Sequence, residues 1–182
     1  MERARQLVGD MLIYCFVVVL VTGGYLAWFH VPSDAAVVYD GSYAPLRGTP
    51  MSESYASALE ISFEVRGGLL SRQLHHTSAV LLGVGTVIWV ALGHLRYVPA
   101  LLGLGLVLLT GLAGYGSVDD VLSGTVFGSV PTPLWYGLHL VAALAMAATL
   151  VVSAVREGAR RPRTPGFVAL GVVLTAVVFL WR

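Results

Sequence analysis

Cysteine, lysine and charge are all scarce in this chain. Cys15 is the single cysteine among 182 residues, which excludes an internal disulfide, a thiolate metal cage and a CxxCH motif for covalent haem attachment. Charged residues make up only 12% of the sequence, about half the fraction found in an ordinary soluble domain. A prosthetic group would therefore have to be held by histidine and by packing.

Apolar residues dominate instead. The sequence is 57% hydrophobic, its mean hydropathy is +0.80, and several segments reach the length of about 17–25 residues that crosses a bilayer. These segments are 11–29, 74–95, 98–115, 134–155 and 165–181. The third and fifth are close to the short limit. We predict one all-α membrane domain over 1–182, with a four-helix bundle at 9–156 and a further C-terminal transmembrane helix at 165–182.

Because lysine is absent, the orientation in the membrane depends on arginine alone. If the five helices alternate in direction, one side of the membrane receives seven arginines: Arg3, Arg5, Arg96, Arg156, Arg160, Arg161 and Arg163. The positive-inside rule then predicts a multi-pass protein of the cytoplasmic membrane with a cytoplasmic N-terminus. The first segment continues through Tyr25 and Trp28, which favours a retained helix over a signal peptide. A formal net charge of +1 gives no indication of nucleic-acid binding.

The long segment between the first two apolar stretches contains "TPMSESYASALEISFEV", which predicts a short surface helix. Thr49 is suited to the N-cap and Pro50 to the first helical position. Tyr55, Leu59 and Phe63 would then share one face of this helix.

Two of the five histidines are predicted to lie at the same depth in the membrane. His75 is about seven residues into the second helix and His139 about six into the fourth, so both lie about 10 Å below one surface. Polar side chains inside a bilayer helix mark a functional site by default. The pair could bind one iron from opposite faces, or simply hydrogen-bond between helices. His76 points about 100° away from His75 around the helix, and we expect His94 near the cytoplasmic interface and His30 on the surface.

Glycines on the first and third helices fit a flat macrocycle between the four helices. Gly23, Gly24 and Gly114 lie near the same ends of their helices as the histidine pair, and glycine permits close backbone approach. Arg72, one turn before His75, could reach an acidic propionate. The alternative is that these glycines only allow the helices to pack closely.

Longer motifs now identify a family. The stretch from "YCFVVVLVTGGYLAWFH" to "RGGLLSRQLHH" resembles the N-terminal part of cytochrome b, the quinol-oxidising membrane subunit of cytochrome bc complexes. "GYGSVDDVLSGT" is similar to the "GYSLPDDLLSGT" of the actinobacterial form, and "PLWYGLHL" is similar to the start of its fourth helix. The resemblance covers about residues 9 to 150.

The resemblance implies a four-helix bundle in which two b haems are stacked across the membrane. In this family the second and fourth helices each supply two histidines, about fourteen residues or four turns apart. The outer pair falls on His75 and His139. The family's outer arginine falls on Arg72, and its outer glycines fall on Gly23 and Gly114.

The ligands of the inner haem are missing. Trp89 stands fourteen residues beyond His75, and Ser153 and Ala154 stand fourteen and fifteen beyond His139. Gly9 still matches a glycine of the inner site. We therefore expect one haem b per chain, at the outer site, and we expect Trp89 to fill part of the vacant inner volume, because cavities in a packed bundle cost stability.

The resemblance also implies a quinone, such as menaquinone. Tyr115, Asp119 and Asp120 lie where the family's outer quinol pocket begins, although the aspartates could equally be a solvated or helix-capping pair. The sequence lacks the PEWY-like motif of the family's second membrane domain, so we expect a shortened form.

The expected function is a mono-haem b-type electron-transfer subunit that works with quinone and with other membrane redox subunits of a respiratory complex. No residue is expected to be catalytic. Two alternatives remain: a haem-free structural or assembly subunit that keeps the fold, and a quinol oxidoreductase subunit whose pocket is completed by a separate chain.

Overall fold

The computed structural model describes residues 2–180, and the protein is 75% helical. Single 3-10 turns lie at Ala44–Leu46 and Phe127–Ser129. The helices and strands, in chain order, are α1 (Glu2–Phe29), β1 (Ala36–Val38), β2 (Pro50–Ser52), α2 (Glu53–Phe63), α3 (Gly68–Leu92), α4 (Val98–Gly116), α5 (Thr132–Arg160) and α6 (Pro165–Leu180).

Four of these helices are long and apolar enough to cross a membrane. They are α1, α3, α4 and α5, with 28, 25, 19 and 29 residues. The predicted all-α membrane bundle is thereby confirmed. Helix α6 is equally apolar but has 16 residues. At about 1.5 Å per residue it is about 24 Å long, shorter than the ~30 Å of a bilayer's hydrocarbon core. A fifth span stays a prediction.

The surface helix begins later than predicted. Its N-cap is Ser52, whose hydroxyl accepts a hydrogen bond from the backbone N–H of Tyr55, so the prediction of Thr49 and Pro50 at the helix start was wrong. Pro50 instead begins β2 and pairs with Val38 of β1, a position where a strand tolerates proline. The predicted apolar face is also only partly buried, since Leu59 is 8% exposed but Phe63 is 51% exposed.

The chain divides into two compact units. The first, which we call the histidine unit, comprises residues 20–76 and 109–142. The second, the tryptophan unit, comprises 1–19, 77–108 and 143–182. Each long helix contributes residues to both units. The prediction of one membrane domain stays a prediction, and each unit is described by itself below.

The tryptophan unit has an apolar core to which four helices contribute. Its buried members are Leu12, Cys15, Phe16, Leu82, Trp89, Val90, Ala100, Met146 and Leu150. Helix α6 joins this unit through Gly171, where an added Cβ would lie 3.3 Å from the ring of Tyr14. The absence of a side chain at Gly171 thus allows α6 to approach α1 closely, as small residues do between membrane helices.

A partly buried ion pair connects α1 to the linker between α5 and α6. The guanidinium of Arg163 donates two hydrogen bonds of 2.7 Å to the carboxylate of Asp10 and also contacts the carbonyl oxygen of Ala154. The Asp10 side chain is only 6% exposed. The hydrogen bonds to Asp10 raise the pKa of Arg163 above its usual value, although burial opposes them.

We predict that Arg163→Ala destabilises the protein by about 3 kcal/mol, because it leaves the carboxylate of Asp10 buried without its cation. The matched control is Arg161→Ala, which removes the ion pair to Glu2. Both side chains of that pair are about half exposed, at 46% and 58%, so its loss should cost less than about 1 kcal/mol. Denaturant unfolding in detergent measures both, and equal losses for the two variants would contradict the prediction.

Candidate haem site

In the histidine unit, α3 and α5 bring His75 and His139 close together. Their ring centroids are 6.2 Å apart, with the ring planes inclined at 56°. A metal–imidazole bond is about 2 Å long, so two imidazoles that bind one metal from opposite sides have their centroids about 6 Å apart. The observed separation therefore matches a pair of axial ligands.

Each histidine is oriented by a hydrogen bond at its Nδ1 atom. Nδ1 of His139 lies 2.9 Å from the carbonyl oxygen of Thr110 on α4, and Nδ1 of His75 lies 3.1 Å from the hydroxyl of Thr22 on α1. Partners of this kind fix the tautomer and orientation of metal-binding imidazoles. Because a carbonyl only accepts, Nδ1 of His139 carries the hydrogen, and Nε2 is then the atom that would bind a metal.

A glycine lies against each ring. A Cβ at Gly23 would come within 2.9 Å of Cε1 of His75, and one at Gly114 would come within 3.1 Å of Nδ1 of His139. Both positions were selected from the sequence, and the structure places each of them beside the histidine of the neighbouring helix. The two imidazoles thus occupy space that a side chain at Gly23 or Gly114 would fill.

Arg72 lies one turn before His75 and turns toward the surface helix. Its guanidinium donates to the carbonyl oxygen of Ala58 at 3.0 Å and also to the hydroxyl of Ser62. These contacts hold the cation near the pair and attach α3 to α2. A contact to a propionate stays a prediction.

The three residues suggested for a quinone lie in the last turn of α4 and in the segment that follows it. The hydroxyl of Tyr115 is 2.8 Å from Nε2 of His76, and the Tyr115 side chain is 44% exposed. Asp119 follows α4 in a left-handed backbone conformation with φ 56°, and Asp120 is exposed. The quinone site stays a prediction.

The expectation of a surface histidine at position 30 was wrong. His30 is half-buried and bridges two segments, with Nε2 3.1 Å from the carbonyl oxygen of Ser117 and Nδ1 3.1 Å from the hydroxyl of Ser57. Sequence periodicity could not show this, because His30 lies beyond the end of α1. His94, by contrast, is exposed after α3.

In the tryptophan unit, Trp89 is the largest fully buried side chain, with 0% exposure. A Cβ at Gly9 would lie 3.3 Å from its Nε1 atom, and a Cβ at Gly103 would lie 3.5 Å from its ring. Two glycines, from α1 and α4, therefore flank the indole as Gly23 and Gly114 flank the histidines. The indole N–H has no hydrogen-bond partner among the described residues, which fits a side chain retained for its volume.

Tyr97 was missed by the sequence reasoning. It lies between α3 and α4, and its ring packs edge-on against Trp89 at 5.5 Å, while its hydroxyl lies 2.7 Å from the hydroxyl of Ser153. Trp89 and Ser153 are the two positions at which inner ligands were expected, so Tyr97 contacts both. One sequence feature could have indicated this contact. The turn "RYVP" between the second and third apolar segments is short, so it keeps Tyr97 close to the helices that it joins.

The histidine pair fits a haem better than it fits a bare ion. Over residues 2–180 there is no group of three or more histidine, cysteine, aspartate or glutamate residues that could hold a metal ion. A haem iron needs only axial ligands from the protein, and histidine is a common one. The pair, its oriented Nδ1 atoms and the flanking glycines supply that arrangement. The fold and the site together define an all-α membrane protein with a facing histidine pair in its bundle.

Comparison with known proteins gives consistent relatives, although no protein-family model matches the chain. The sequence is 45% identical to the cytochrome bc1 complex cytochrome b subunit of Streptomyces coelicolor over 129 aligned positions, which cover 65% of this chain and 24% of that protein. The subunit of the same name from Mycobacterium bovis is 40% identical over 145 residues, 74% of this chain and 26% of that protein. That of Corynebacterium diphtheriae is 36% identical over 155 residues, 80% of this chain and 27% of that protein.

The chain is thus homologous to the N-terminal part of the cytochrome b subunit of cytochrome bc1 complexes, and the resemblance found in the sequence is confirmed. It spans about a quarter of the length of these curated relatives.

Proposed function

We propose that this protein is a membrane-bound b-type electron-transfer subunit that holds one haem b between His75 and His139. The observation that carries the proposal is the facing pair itself, with centroids 6.2 Å apart. The hydrogen-bond partners at both Nδ1 atoms support it, because such partners orient metal-binding imidazoles. The named relatives support the same cofactor class.

The chain's own residues have distinct roles in this proposal. His75 and His139 bind the iron through Nε2, while Thr22 and the Thr110 carbonyl orient them. Gly23 and Gly114 leave room for the macrocycle, and Arg72 supplies a positive charge beside it. A haem with two protein ligands carries single electrons and has no open position for oxygen.

The tryptophan unit supports a single haem. A second iron would need two imidazoles near Trp89 and Ser153, and these positions instead contact each other through Tyr97. The indole of Trp89 lies between the flanking glycines, and the phenol ring of Tyr97 packs against it. The residues present in this unit do not fit a haem.

We further propose the setting of this electron transfer. The protein lies in the cytoplasmic membrane with its N-terminus in the cytoplasm, and the haem between His75 and His139 lies near the outer face. One haem near one face does not move electrons across a membrane by itself. Electrons would therefore pass laterally between a quinone such as menaquinone, this haem and an outer redox subunit of a larger respiratory complex.

A haem assay on the purified protein tests the proposal. The expected result is one non-covalent haem b per polypeptide, measured as the pyridine haemochrome against protein concentration. Haem that remained bound after acid–acetone extraction would contradict non-covalent binding. Two haems per chain would contradict the proposal that the tryptophan unit holds no haem. A haem-free protein from haem-replete cells would favour a structural or assembly subunit with the same fold.

A further inference from the structure

His30 lies immediately after α1 and links several segments of the histidine unit. Its Nε2 atom is 3.1 Å from the carbonyl oxygen of Ser117, and its Nδ1 atom is 3.1 Å from the hydroxyl of Ser57 on α2. Its ring packs against Tyr136 of α5 at a centroid distance of 5.5 Å. These contacts fix the position of the imidazole and leave its protonation state variable.

The hydrogen bonds can be satisfied in both protonation states. The Ser117 carbonyl only accepts, so Nε2 carries a hydrogen in either state and Nδ1 is the atom that gains or loses the proton. When His30 is neutral, the Ser57 hydroxyl can donate to Nδ1. When His30 is protonated, Nδ1 donates to Ser57, whose own hydrogen can turn to the carbonyl oxygen of Ser54, 2.9 Å away. A hydroxyl rotation is the only adjustment needed.

The charges around His30 set which state is favoured. Burial is the main cause that lowers its pKa below the usual value, and the hydrogen bond to Ser117 opposes this. The positive charge of Arg72 on α3 and the imidazole of His139 on α5 lower the pKa further. The ring of His30 packs against Tyr136, which lies one turn before His139 on α5. A change of charge at His139 therefore acts on His30 over a short distance.

We propose that His30 takes up a proton when the haem between His75 and His139 gains an electron, so that the haem's reduction potential depends on pH. This inference rests on the proposed function. An added electron near His139 stabilises a positive charge on His30. Because the coupling is reciprocal, a proton on His30 stabilises the added electron equally.

The direction of the effect follows from linkage. Reduction adds one electron from the reductant, and His30 takes one proton from water at Nδ1, so the local charge change is partly cancelled. The coupling acts over the pH range in which His30 is neutral when the haem is oxidised and protonated when the haem is reduced. Since the pKa of His30 is lowered, this range begins below the usual histidine value of about 6.5. The potential should rise as the pH falls, by at most about 59 mV per pH unit for one proton per electron.

A redox titration of the purified holoprotein tests this between about pH 5 and pH 8, with dithionite as reductant and the haem absorption band as the signal. The wild-type potential is expected to rise toward acid pH, and His30→Gln should lose most of that rise while it keeps its haem. The matched control is His94→Gln, which changes an exposed histidine of the tryptophan unit and should leave the slope unchanged.

A second variant covers the case in which His30→Gln fails to fold. Ser57→Ala removes the acceptor of the Nδ1 proton, which the charged ring needs more than the neutral ring does, so the rise in potential should move to lower pH. A wild-type potential that does not depend on pH, or a pH dependence that remains in His30→Gln, would overturn the inference. If the haem band is present in either case, the proposed function still stands. A wild-type protein without a haem band would instead overturn the proposed function and this inference with it.

Discussion

Replacement of either His75 or His139 by alanine should abolish the low-spin haem spectrum. The two imidazoles face each other at 6.2 Å, and one ligand alone cannot hold an iron in six-coordinate, low-spin form. The absorption spectrum of the reduced protein, together with the haem-to-protein ratio, measures the effect. We expect the low-spin band to disappear in both variants and the haem content to fall strongly.

Two further histidines provide the controls for this experiment. His94→Ala changes an exposed residue of the other unit and should leave the spectrum as in the wild type. His76→Ala tests the register of α3, because His76 is the immediate neighbour of His75 but bonds to Tyr115. Loss of the band in His76→Ala with retention in His75→Ala would show that the ligand on α3 had been assigned wrongly by one residue.

Trp89→His should destabilise the protein by about 3–5 kcal/mol, the range for large-to-small changes in a core. The indole is 0% exposed and fills the space between Gly9 and Gly103. Imidazole is smaller and brings a second polar atom into this apolar site, so a cavity and a desolvation cost are both expected. Denaturant unfolding in detergent measures the loss.

The matched control is Trp28→His, the same substitution at a residue that is 85% exposed. It should change the stability by no more than about 0.5 kcal/mol, as surface substitutions usually do. If the Trp89→His variant were as stable as the Trp28→His variant, Trp89 could not be the residue that fills the volume of the missing inner haem.

Histidines introduced at position 89 and at position 153 or 154 test whether the tryptophan unit derives from a former haem site. Trp89→His combined with Ser153→His or with Ala154→His should regain part of the lost stability when haem is supplied, since a bound ligand stabilises the folded state. Tyr97 contacts both positions 89 and 153, so Tyr97→Ala should increase the recovery in the Ser153→His background. Variants that never bound a second haem would leave the idea of a former haem site without support.

Much of the histidine unit could be predicted from the sequence because the relevant rules are local. A fixed rise of about 1.5 Å per residue places His75 and His139 at equal depth once the helix ends are known. Gly23 and Gly114 near the same ends of their helices, and Arg72 one turn before His75, add to that pattern. The four long helices were likewise predicted from apolar length, because a bilayer leaves few alternatives for such segments.

The sequence by itself determined which helices form and which residues can face one another across them. Only the tertiary structure decided which partners on other segments these residues meet: Thr22 and the Thr110 carbonyl at the histidines, Tyr97 beside Trp89, Asp10 with Arg163, and His30 between Ser57 and Ser117. The physical reason is that periodicity specifies the direction of a side chain only within a regular helix. The hydrogen bonds of residues beyond a helix end, or on a neighbouring helix, depend on how segments distant in sequence pack together.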